Sequence, residues 1–88
     1  MDANDTELEV DFREIDTLLR EAVQQLPEQQ QKVYKMIREE GLSHADIAER
    51  LTISRHTVRN HMASALQDIR GYLLAKGVVT VLIINLLK

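Results

Sequence analysis

The chain has 88 residues, with 11 lysines and arginines against 14 aspartates and glutamates, a formal net charge of −3, and no cysteine. Its length suits one small domain, and its composition excludes a disulfide framework, a cysteine-ligated metal site and nucleic-acid binding through bulk basic charge. Residues 1–21 hold eight acids and two bases, a net charge of −6, whereas residues 22–88 hold six acids and nine bases, a net charge of +3. Any nucleic-acid function must therefore come from the positions of the bases.

Two amphipathic helices are predicted in the first half of the chain. Apolar residues recur three or four positions apart from Leu8 to Leu26, which is the period of one helical face. Pro27 ends this helix and begins the next one, because proline disfavours helical geometry in the preceding residue and suits a first helical turn. Gly41 is predicted to end the second helix. The apolar stripe of that helix consists of Val33, Tyr34, Met36 and Ile37.

A short third helix and a long fourth helix follow, and each is preceded by a serine. The hydroxyls of Ser43 and Ser54 can accept a hydrogen bond from a free backbone amide of the first turn, so both serines are predicted N-caps. The fourth helix should end at Gly77 rather than at Gly71. A capped short helix, a break of about three residues and a capped longer helix form the layout of a helix-turn-helix. The sequence therefore predicts an all-α domain of four to five helices that contains this motif.

Thr52 lies in the predicted turn, at a position that commonly needs a positive φ. A β-branched residue in that conformation is strained by roughly 1 kcal/mol or more. Either the turn has another geometry, or packing overcomes the strain.

The chain ends in an apolar segment at residues 78–87. Its β-branched residues favour a strand, but a lone strand would have no sheet to join, so a helix is preferred. The segment is too short to cross a bilayer, which takes about 20 apolar residues. Three roles remain open: completion of the core, burial in another part of a larger protein, or a homodimer contact. The dimer would use Val79, Leu82, Ile83 and Leu86.

The fourth helix carries the residue types that bind DNA. Its exposed side is predicted to present Arg55, His56, Thr57, Arg59, Asn60 and Ser64. Such groups read base edges in a major groove or hold phosphates, and the helix N-terminus adds a positive dipole. We expect both arginines and the Ser54 end of the helix to hold the DNA backbone, although an arginine could also pair with guanine. We expect His56, Thr57 and Asn60 to contact base edges.

No enzyme, metal or cofactor site is predicted. His44, His56 and His61 have neither the i,i+4 spacing of a metal-binding pair nor a companion acid poised as a base. The sequence also shows no nucleophilic side chain paired with a general base, and no phosphate-binding loop.

A set of short motifs makes the resemblance to a known family specific. Residues 26–73 are similar to region 4 of bacterial RNA polymerase sigma factors of the extracytoplasmic-function group. The motifs are Leu-Pro-Glu-Gln at 26–29, Gly-Leu-Ser at 41–43, Asp-Ile-Ala at 46–48, Leu-x-Ile-Ser at 51–54, Thr-Val at 57–58 and Ala-Leu at 65–66. The apolar tail resembles those of some such factors from Bacteroidetes-type bacteria.

This resemblance implies that the helix after Ser54 binds double-stranded promoter DNA at the minus-35 element, while another face binds the β flap of the RNA polymerase core. It also implies which side chains face DNA: Arg55, His56, Thr57, Arg59 and Asn60, with His61 at the edge of the contact. Thr52 departs from the family, where glycine is usual in the turn. The promoter-melting region is missing too, so the chain is expected to be a fragment or an excised domain that does not initiate transcription alone. An anti-sigma partner is left open.

Two other functions compete with this one. The output domain of a LuxR-type response regulator has a similar layout, but it resembles Leu-Thr-x-Arg-Glu where this chain has Leu-Pro-Glu-Gln at 26–29. A helical interaction module that never touches DNA would suit the net acidity and the apolar tail. We predict a cytoplasmic sigma-factor domain, divided into an acidic linker with an amphipathic helix at 1–25, the helix-turn-helix domain at 26–75 and the tail at 76–88.

Overall fold

A computed structural model of the chain describes residues 12–87. These residues form five α-helices, which are α1 (Phe12–Gln24), α2 (Glu28–Arg38), α3 (His44–Leu51), α4 (Arg55–Ala75) and α5 (Thr80–Leu86). No strand occurs within this range, so the all-α prediction is confirmed, and so is the preference for a helix in the apolar tail. The start of the predicted helix from Leu8 lies outside the described residues.

α4 is the central helix and packs against each of the other four. Its buried side chains recur three or four residues apart, which places them on one side of the helix. They are Val58, Met62, Ala65, Ile69 and Leu73. Residues from the other four helices join them in one core, including Val23 of α1, Val33 of α2, Ile47 of α3 and Ile83 of α5. The apolar face of α4 is thus the centre of the fold.

Pro27 separates α1 from α2, as predicted. It is the N-cap of α2 with φ −53° and ψ 149°, so the helix itself begins at the next residue. Gln31 Nε2 donates a hydrogen bond to the carbonyl oxygen of Val23 at 2.7 Å, which ties the first turn of α2 to the end of α1. α2 ends at Arg38, and Gly41 adopts a φ of +68°. The glycine therefore redirects the chain three residues after the helix has ended.

α5 follows a turn at Gly77, which has a φ of +90°. The amide of Val78 donates to the carbonyl oxygen of Leu73 at 3.0 Å, closing the turn. Val78 and Ile83 are 8% and 1% exposed, so the tail completes the core on one side. Ile83 is therefore unavailable for the predicted homodimer contact, because its own chain already buries it.

Two apolar side chains of the tail remain exposed. Val79 and Ile84 are 58% and 57% exposed. Leu87 beyond α5 is fastened to α2, since its carbonyl oxygen accepts a hydrogen bond from the Arg38 guanidinium at 2.6 Å. Among the helices of the described range, none has the length and hydropathy that a membrane crossing needs.

Candidate DNA-binding surface

The turn between α3 and α4 is built around a strained residue. Thr52 has φ 57° and ψ 48°, a left-handed conformation that costs a residue other than glycine about 1–2 kcal/mol. This geometry lets two amides return to α3: Ile53 donates to Ala48 at 3.0 Å, and Thr52 donates to Glu49 at 3.3 Å. The partly buried Ile53 side chain also packs against the core. Of the two outcomes expected for this turn, the chain adopts the one in which packing and capping overcome the strain.

α3 supports the start of α4. Ile47 of α3 and Val58 of α4 are both fully buried, and the two helices pack against each other. Ser43 caps α3, its hydroxyl accepting from the amide of Asp46 at 3.1 Å. The non-helical residues 52–54 keep α3 and α4 from fusing into one rod. The predicted helix-turn-helix is therefore present.

Ser54 caps α4 and is bonded to Thr57 twice. Its Oγ accepts from the amide of Thr57 at 3.0 Å, and the two side-chain hydroxyls are 2.8 Å apart. The first bond is the predicted cap, an interaction that contributes about 0.5–2 kcal/mol. The second bond joins the two side chains and so restrains the orientation of Thr57.

All seven predicted site residues lie at the N-terminal end of α4. Five of them are exposed and form what we call the outward strip: Ser54, Arg55, His56, Arg59 and Asn60. Thr57 and His61 are partly buried, because each is next to a buried core position. Ser64 is exposed one turn further along. Arg55 and Arg59 are four residues apart, and so are His56 and Asn60, so each pair lies along the helix one turn apart and the two pairs are adjacent.

The outward strip carries uncompensated positive charge. Residues 50–67 include three arginines and no acidic residue. Arg50 is 3.5 Å from the carboxylate of Glu40, but Arg55 and Arg59 have no ion-pair partner among residues 12–87. The free amides at the start of α4 add partial positive charge, which the helix dipole concentrates there. The strip can therefore attract and hold an anion such as a DNA phosphate.

The three histidines lie on two helices. His44 begins α3, whereas His56 and His61 lie in the first two turns of α4. In the part of the chain that the structure describes, no three His, Asp or Glu side chains are grouped so that they could share a metal ion.

A cleft of about 390 Å³ lies between α1 and α2. Leu19, Val23 and Tyr34 form the apolar part of its lining, and burial raises the pKa of the Tyr34 hydroxyl above its usual value. Its charged lining consists of Asp16, Arg20, Lys35, Arg38 and Glu39. This cleft was not predicted from the sequence, where the apolar residues of each helix indicate only packing. The cleft forms because both helices pack against α4 rather than closely against each other.

Comparison with protein families assigns the chain independently. The family model described as Sigma-70, region 4 matches residues 16–69, more than half of the 88 residues. The match includes the helix-turn-helix and the whole outward strip. No curated protein matches the chain. The match concerns region 4 in general, so the extracytoplasmic-function group and the Bacteroidetes-type tail stay predictions. The chain belongs to the sigma-70 region 4 family, the C-terminal domains by which sigma factors bind promoter DNA.

Proposed function

We propose that the outward strip binds the minus-35 element of a promoter by entering the major groove. The observation that carries this proposal is the position of Arg55 and Arg59, which lack ion-pair partners within residues 12–87, at the exposed start of α4. A phosphate there would meet both guanidinium groups and the free amides of the helix N-terminus. The family match supports DNA as the source of that phosphate.

Arg55, Arg59 and the Ser54 end of α4 are assigned to the DNA backbone. Guanidinium groups, hydroxyls and helix N-termini bind phosphate oxygens, and such contacts fix the register of a protein on the duplex without reading sequence. Arg59 is also suited to pair with guanine in the groove. An arginine guanidinium can donate two hydrogen bonds to one guanine, at its O6 and N7 atoms.

His56, Thr57 and Asn60 are assigned to base edges. His56 and Asn60 lie one turn apart on the exposed side of α4. An asparagine amide suits adenine, since it can donate to N7 and accept from N6. The hydroxyl of Thr57 is already bonded to Ser54, so its methyl group is the part suited to contact a thymine methyl. His61, which is partly buried, lies at the edge of the contact.

Salt dependence of binding tests the DNA proposal. Duplexes selected from a random pool against the protein would be titrated by fluorescence anisotropy between about 50 and 200 mM salt. We expect a plot of the logarithm of the binding constant against the logarithm of the salt concentration to be a falling straight line. Its slope should be about −0.9 for each phosphate that the protein neutralises. Failure to select any duplex, or affinity independent of salt, would contradict the proposal and favour a helical interaction module. Affinity should be modest, because an intact factor would be tethered to promoter DNA through the polymerase.

A second surface is proposed for the polymerase. Sigma-70 region 4 binds the RNA polymerase core as well as promoter DNA. We assign the β flap of the core to the cleft between α1 and α2, whose apolar lining can bury an apolar segment of a partner. The outward strip lies on another helix, so one domain can hold both partners at once.

Photo-crosslinking tests this assignment. A photoreactive amino acid placed at position 20, where the Arg20 side chain is 76% exposed, should crosslink to the β subunit when the protein is mixed with polymerase core. The same replacement at Arg70, which is exposed on α4 and does not line the cleft, should not crosslink. Equal crosslinking from both positions, or from Arg70 alone, would place the core contact elsewhere.

The motifs at 26–29 and 57–58 support placing the domain in the extracytoplasmic-function group, with the cytoplasm as its location. That group implies an anti-sigma factor as a further partner. Val79 and Ile84, which remain exposed, are apolar side chains of the tail that a homodimer would bury. The activity that we propose is binding alone, without catalysis.

A further inference from the structure

Thr52 is the only residue other than glycine with a positive φ among residues 12–87. In this conformation Cβ lies too close to the following carbonyl oxygen, whereas glycine adopts it freely and asparagine tolerates it. A glycine would serve the capping bonds of the turn equally well, because those bonds use only backbone groups. The turn itself therefore gives no reason for a threonine side chain at this position.

The hydroxyl of Thr52 is also unused within the described part of the chain. Two other threonine side chains are described, and both are bonded: Thr17 Oγ1 donates to the carbonyl oxygen of Arg13 at 2.9 Å, and Thr57 pairs with Ser54. Thr52 is exposed, and its Oγ1 makes no hydrogen bond to any residue in the range 12–87. The strain is thus not offset by a bond that the side chain makes inside the domain.

The position of Thr52 suggests what it binds. It precedes Ser54 by two residues, so the two Cα atoms are at most about 7 Å apart. Thr52 is therefore an exposed residue next to the N-terminal end of the outward strip, where the charge of Arg55 and the free amides of α4 favour a phosphate. A hydroxyl can donate to a phosphate oxygen, and contacts of this kind are common in protein and DNA interfaces.

We infer that Thr52 is a DNA-backbone contact whose hydroxyl donates to a phosphate next to the one held at the start of α4. This inference rests on the proposed DNA function of the outward strip. A phosphate contact explains why threonine occupies a position that favours glycine. Glycine would relieve the backbone strain, but it has no side-chain hydrogen-bond donor for the phosphate.

Three substitutions separate the hydroxyl from the strain. T52G removes both, T52V removes the hydroxyl but keeps the branched Cβ, and T52N keeps a donor while tolerating a positive φ. We expect T52G to raise the melting temperature by roughly 4–8 °C, since relief of about 1 kcal/mol has that effect on a domain of this size. The same variant should bind the selected duplex roughly two- to ten-fold more weakly, because one hydrogen bond to the DNA is lost.

The other variants supply the controls. T52V should lose affinity to the same extent without gaining stability, whereas T52N should gain stability and keep affinity within about two-fold. The salt slope should be unchanged in all three, because a neutral donor releases no counterion. If T52G binds as tightly as the parent protein, the inference is wrong. Failure of the underlying DNA proposal would look different, because the parent protein itself would then show no salt-dependent binding.

Discussion

Replacing Leu73 by alanine should lower the free energy of unfolding by roughly 2–5 kcal/mol, the usual range for a buried leucine. Leu73 is fully buried on the central helix, in the core that α5 completes. The substitution removes apolar contacts and leaves a cavity that its neighbours can fill only partly. A domain of this size has little stability to spare, so the loss should be visible as a large shift in the urea unfolding midpoint.

Leu74 provides a matched control. It is the next residue of the same helix and the same type, but it is 46% exposed. Leu74→Ala carries the same change in helix propensity and removes far less buried surface, so we expect a loss of at most about 0.5–1 kcal/mol. Both variants would be followed by circular dichroism in urea. Equal losses would show that Leu73 is not in a closed core and that the tail does not pack as described.

Replacing Arg59 by alanine should weaken binding to the selected promoter duplex by about 1–3 kcal/mol, or roughly 5- to 150-fold. Arg59 is exposed, has no ion-pair partner among the described residues, and lies on the outward strip one turn after Arg55. Its removal should leave the fold intact, because exposed residues outside special conformations contribute little to stability. The measurement is the dissociation constant by fluorescence anisotropy at one fixed salt concentration.

Arg70 is the control for charge. It is exposed on the same helix, and eleven residues place it about 16 Å from Arg59 along the axis. Arg70→Ala changes the net charge equally, yet a charge at that distance is largely screened at about 0.1 M salt. Its affinity should therefore stay close to that of the parent protein. Equal losses for the two variants would show a diffuse charge effect and contradict a contact by Arg59.

A comparison of sequences assigns the role of Arg59. If it pairs with guanine, the alanine variant should lose affinity for the selected duplex and little for a scrambled one. If it holds a phosphate, both duplexes should lose equally, and the salt slope should become shallower by about 0.9. The two outcomes distinguish the two assignments that the position of Arg59 allows.

The helical content and the polar, exposed start of α4 could be predicted from the sequence because they depend on near neighbours along the chain. A three-to-four-residue apolar period defines a helical face wherever that face packs. Ser43 and Ser54 cap helices through amides three residues away, as the structure confirms. The outward strip is the part of α4 left over once the apolar positions are buried, so its members were predictable together.

Other features depended on residues that are distant in sequence. From the sequence, the left-handed conformation of Thr52 was one of two alternatives. Its free-energy cost is offset by backbone capping bonds and by the packing of Ile53, and that packing exists only in the assembled core. The cleft between α1 and α2 depends on where the two helices are placed when both pack against α4. The tail was apolar throughout, and only docking onto the core decided that Ile83 is buried while Ile84 is exposed. Local hydrogen bonds and the apolar period thus determined the helices and their caps. Contacts between helices decided the strained turn at Thr52, the cleft between α1 and α2, and which side of the tail faces solvent.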